Sequence, residues 1–150
     1  MANGIIGTHP SHGYQVVETI TEAKQLDRND SGKYFMVDNT TAFTMNLPKL
    51  STEIAGWNCK FIVQVNGGND VHIMAHGLTS AGGTTGDANS VLLKEIPGGD
   101  GEDGGLAAAQ DGVVIKADSL VQDSLECFTD GTSWFFTAFA EEVNHFDDVG

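Results

Sequence analysis

Ser31-Gly32-Lys33-Tyr34-Phe35-Met36-Val37-Asp38, then Phe43-Thr44-Met45-Asn46-Leu47-Pro48, then Gly56-Trp57-Asn58-Cys59-Lys60-Phe61-Ile62-Val63 is the stretch that decides the fold class. Its apolar residues recur with period two, and each pulse ends at a turn residue or a proline. That pattern describes strands with one face against a core. Phe43, Met45 and Leu47 share one face, and Cys59, Phe61, Val63 and Val65 share another. Pro48 stops the second strand because it has no N–H for a ladder. Few of these side chains have chemistry to offer.

Working outward, the same alternation predicts strands over Gln15 to Ile20, Val71 to Ala75, Ser90 to Ile96, Gly112 to Lys116, Leu125 to Thr129 and Ser133 to Ala140. Thr21 to Asp30 is the one modest helix or turn candidate. Asn66-Gly67-Gly68-Asn69 predicts a hairpin turn, and Asp130-Gly131 a second one. The expected architecture is all-β: a single-domain antiparallel β-sandwich or barrel over residues 15–140. An extended arm over residues 1–14, broken by Gly4, Gly7, Pro10 and Gly13, precedes it, and an acidic tail over 141–150 follows. The last strand carries Trp134, Phe136, Ala138 and Ala140 on one face but Phe135 and Phe139 on the other. Such a strand is either central and covered twice or set against another subunit.

With 150 residues the chain fits one domain with a real core. Nineteen glycines against three prolines favour many tight turns. No apolar run approaches the ~20 residues that cross a bilayer, and the N-terminus lacks the basic and apolar regions of a signal peptide. The expectation is a protein made and used without secretion. Cys59 and Cys127 lie in apolar strand segments, and buried free thiols are expected in preference to a disulfide. The net charge is −14, and of only seven Lys and Arg residues none follows Lys116. Phosphate recognition needs cations, so nucleic acid is not expected as a partner, and an anionic membrane surface would repel the chain. The acidic balance reads first as a soluble, self-repelling surface, and in a sharper reading as an exterior that limits clumping when many copies are displayed on one large assembly.

The reactive residues nominate no catalytic group. His72 and His76 are four apart but on a predicted strand, with no third ligand, so no metal site is expected. Gly98-Gly99-Asp100-Gly101-Glu102-Asp103 has the composition of a cation-binding loop but occurs once, and reads as a solvated acidic loop. No nucleophile elbow, phosphate-binding loop or dinucleotide fingerprint appears. The chain is expected not to be an enzyme and to use no cofactor. Trp57 and Trp134 would be the stacking platforms of a carbohydrate-binding module, although their strand contexts favour burial.

The order of motifs resembles that of small β-rich structural proteins of tailed bacteriophages. It runs from Asp30-Ser31-Gly32-Lys33-Tyr34-Phe35 to the Phe-Thr-x-x-Leu-Pro strand Phe43 to Pro48. The Gly-aromatic-x-x-Lys-Phe-Ile-Val strand Gly56 to Val63 follows, then the Asp-Gly-Thr-x-Trp hairpin Asp130 to Trp134. The resemblance is to head decoration (cement) proteins, with similar patterns in tail-fibre components. It implies a homo-oligomer (dimer or trimer) made in the host cytoplasm, sitting on the virion surface and bound to the major capsid protein. Candidate contacts read from the residues are Ile5 and Ile6 in the arm, Phe135 and Phe139 on the two-faced strand, and Phe146 in the tail.

Overall fold

The computed structural model describes residues 15–79, 86–96 and 107–150. Among the described residues there are twelve strands: β1 (Val17–Ile20), β2 (Lys24–Gln25), β3 (Tyr34–Asp38), β4 (Phe43–Asn46), β5 (Asn58–Val65), β6 (Val71–Met74), β7 (Val91–Ile96), β8 (Ala107–Gln110), β9 (Gly112–Ile115), β10 (Ser124–Thr129), β11 (Trp134–Phe139) and β12 (Phe146–Val149). They form a seven-stranded sheet, β1-β3-β5-β10-β11-β7-β8, and a five-stranded sheet, β12-β9-β6-β4-β2. The buried side chains of both sheets make one hydrophobic cluster. Phe35, Phe61, Leu125 and Trp134 come from the larger sheet, and Met45, Ile73, Ile115 and Phe146 from the smaller. The chain is all-β, as its alternation predicts.

The expectation of purely antiparallel sheets, or of a barrel, is corrected. Five pairings are parallel, namely β1–β3, β3–β5, β2–β4, β4–β6 and β7–β11, and five are antiparallel. Up to β6 the chain places consecutive strands in alternate sheets. A parallel pair needs a crossover, and in the four parallel pairs up to β6 each crossover is itself a strand of the opposite sheet. One buried face gives the same period-two pattern in either pairing, so alternation cannot distinguish them. The region read as a helix or turn resolves into β2 and a 3-10 turn, Arg28–Asp30, with a capping box between Asp27 and Asp30.

The Asn66-Gly67-Gly68-Asn69 turn is not a hairpin, because β5 and β6 belong to different sheets. It stacks on the preceding turn after β3. Asn39, fully buried, donates from Nδ2 to Asn69 O at 2.9 Å and accepts from Gly67 N. Asn69 returns the bond to Asn39 O at 3.0 Å. A Cβ on Gly67 would fall 2.2 Å from the Thr40 Cα, so this stacking requires glycine. The Asp130-Gly131 turn does join an antiparallel pair, β10 and β11, with Asp130 Oδ1 accepting from the N–H groups of Thr132 and Ser133.

Residues 141–150 are likewise not a free tail. β12 pairs antiparallel with β9, from Phe146 opposite Ile115 to Val149 opposite Gly112. His145 leads into it buried, its Nδ1 2.6 Å from Asp123 Oδ2. Ser119 Oγ donates to His145 O at 2.6 Å. Beyond the other end of the core, Lys24 and Lys33 share the carboxylates of Glu18 and Asp30, with Lys33 2.6 Å from Asp30 and 3.0 Å from Glu18. The Lys24 ammonium also sits 5.3 Å over the Phe35 ring.

Candidate functional site

Cross-strand register determines what the broad outer face of the larger sheet presents. One row runs Asn58, Phe128, Phe135, Leu92. The next runs Tyr34, Lys60, Glu126, Thr137, Lys94, and the third Met36, Ile62, Ser124, Phe139, Ile96. Two apolar rows thus flank a polar one. Phe128 and Phe135 stack at 4.9 Å with their planes 14° apart, although Phe128 is 51% exposed. Phe139 and Ile96 are each 40% exposed. In the polar row Lys60 pairs with Glu126 at 3.2 Å. An open depression of about 310 Å³ lies over these strands, lined by Tyr34, Asn58, Lys60, Glu126, Phe128 and Thr137, with Cys59 and Cys127 at its floor.

Phe135 and Phe139 are therefore brought to one face, as the two-faced pattern of their strand predicts. β11 is central in the sheet, between β10 and β7, but it is covered on one face only, and its other face is open in this chain. Phe128 completes the face and was not among the predicted contacts. The signal for it is present in the sequence. Leu125 and Cys127 point inward, so Phe128 points outward, and the Asp130-Gly131 turn sets it opposite Phe135.

Phe146 is corrected as a contact. It is 2% exposed, inside the core as the first residue of β12, and has no surface to offer a partner. Ile5 and Ile6 lie outside the described residues, as does the Gly98 to Gly105 loop. Trp57 and Trp134 are not sugar platforms: they are 4% and 0% exposed and pack edge to face at 5.3 Å, with Trp57 Nε1 donating to Asp27 O. Met74, between His72 and His76, is fully buried. Among the described residues no group of three or more His, Cys, Asp or Glu side chains is placed to hold a metal ion. No described helix is long and apolar enough to cross a membrane.

The charges away from this face serve the fold. The Lys24 hydrogen bond, with help from Lys33, holds the Glu18 carboxyl below its usual range. Burial pushes the Asp30 carboxyl upward, but the bonds from Lys33 and the Asp27 amide outweigh it and leave a net lowering. Asp30 in turn raises the Lys33 ammonium. Compared with known proteins, the chain matches no protein-family model and no curated sequence.

Proposed function

We propose that the protein is a capsid decoration (cement) protein of a tailed bacteriophage, binding the outer surface of the head and bridging neighbouring capsid subunits. The observation that carries the reading is the exposed aromatic face of the larger sheet, where the β10–β11 register presents Phe128, Phe135 and Phe139 on a chain of net charge −14. Exposed apolar side chains gathered on one face, here in two rows either side of a polar one, are a mark of a protein-docking surface. Decoration gains avidity from many equivalent weak contacts. The order of strand and turn motifs, from Asp30 through Trp134, supports the viral assignment. The major capsid protein is the proposed partner and a dimer or trimer the proposed assembly.

The test is copy number in purified virions from the phage that encodes the chain, measured by quantitative mass spectrometry. Copies in fixed proportion to the major capsid protein, in the hundreds per particle, are expected. A few copies per particle, co-purifying with tails after heads and tails are separated, would replace decoration by a tail or fibre role. Absence from virions would overturn both.

A further inference from the structure

We propose that Cys59 and Cys127 form an oxidisable pair that closes as an intrachain disulfide across the seam of the larger sheet. The seam is where β5, the last strand of the parallel set β1-β3-β5, meets β10, the first of the antiparallel hairpin β10–β11. Cys59 and Cys127 are directly opposite in that pairing. Opposed residues of an antiparallel pair have Cα atoms about 4.5–5.5 Å apart, inside the ~4.4–6.8 Å range that a disulfide spans.

Both side chains are buried on the core face of the sheet, directly opposite one another in the β5–β10 register. Aromatic pairs hold the strands on either side: Trp57 against Trp134 toward one end, and Phe35 stacked on Phe61 at 5.4 Å toward the other. The register therefore sets the two cysteines side by side, as a cross-strand link requires. Both thiols are buried, at 5% and 2% exposure, so an oxidant reaches them only when the structure opens locally.

The oxidant class is a peroxide. One thiol takes an oxygen from hydrogen peroxide, giving a sulfenic acid and one water. The second thiol then attacks that sulfur, an S–S bond forms, and a second water leaves. The sulfurs together lose two electrons and two hydrogens, and the peroxide O–O bond is reduced. Burial pushes the Cys127 thiol well above its usual range, and the neighbouring Cys59 adds to this. The reaction is accordingly slow at neutral pH and faster in alkali, since the thiolate is the nucleophile.

The link closes a long loop, residues 59–127, and restrains the unfolded chain accordingly. The experiment treats the full chain with hydrogen peroxide and reads intact mass, non-reducing peptide maps and thermal midpoint. Expected are a loss of two hydrogens, a Cys59–Cys127 linked peptide, and a midpoint higher by on the order of 10 °C, reversed by dithiothreitol. Cys127→Ser should abolish the linked peptide. If that variant does not fold, the wild-type map and midpoint decide alone. Intermolecular dimers through either cysteine, sulfinic acid without linkage, or a linked chain whose midpoint is unchanged or lower would each overturn the pair.

Discussion

A single buried amide, that of Asn39, ties two turns distant in sequence into one stacked layer, with Gly67 pressed against the Thr40 backbone. Gly67→Ala forces a Cβ into backbone that has nowhere to retreat. Its expected cost is about 2 kcal/mol or more, read as a thermal midpoint lower by ~4–8 °C. An unchanged midpoint would show that the turns do not stack. The same scale holds the acid response. Glu18 and Asp30 are held below their ordinary values of 4.5 and 3.8, so their contribution is whole above those values and is lost as pH falls through the lower folded ones. Asp30→Asn should lower the thermal midpoint at neutral pH, and the gap to wild type should close progressively below pH 3.8. A gap constant down to the acid limit would separate Asp30 from the ion pairs.

Among the elements, β12 shows where charge hides a strand. Phe146-Asp147-Asp148-Val149 lacks clean alternation and follows Glu141 and Glu142, so residues 141–150 read as solvated tail. What makes it a strand is pairing with β9 and the burial of His145 and Phe146, partners that lie far away in the chain. Phe146→Ala should cost about 3–5 kcal/mol through the cavity it leaves. Phe128→Ala, on the open face, should shift stability by only about 0.5 kcal/mol. Equal small effects in urea unfolding would return residue 146 to the tail. The strands from Ser31 to Val63 were legible because one-sided burial writes period two into any strand. Their partners were not, because Asn66-Gly67-Gly68-Asn69 has hairpin composition while its governing contact is Asn39. Pairing direction is a non-local property, and local pattern is silent on it.

At the scale of the whole molecule, the strands divide the work. The parallel set and its stacked turns build the platform, and the β10–β11 hairpin lays its aromatic face outward. Half of that face was readable, since the apolar outward positions Phe135 and Phe139 break the alternation rule. Phe128 was readable only by combining the alternation of its own strand with the Asp130-Gly131 turn that sets it beside them. The proposed docking face makes a separable prediction, because its residues would support binding more than folding. The double variant Phe128→Ser, Phe139→Ser should keep the wild-type thermal midpoint to within a few degrees. It should lose binding to purified undecorated heads by at least tenfold per subunit contact, about 1.4 kcal/mol. Avidity multiplies that loss over many sites, so sedimentation with heads should fall to background. A variant that folds and still saturates heads would move the interface off the larger sheet altogether. In the wild type, binding carried by the apolar rows should persist in high salt, whereas binding carried by Lys60, Lys94 and Glu126 should fade as ions screen it.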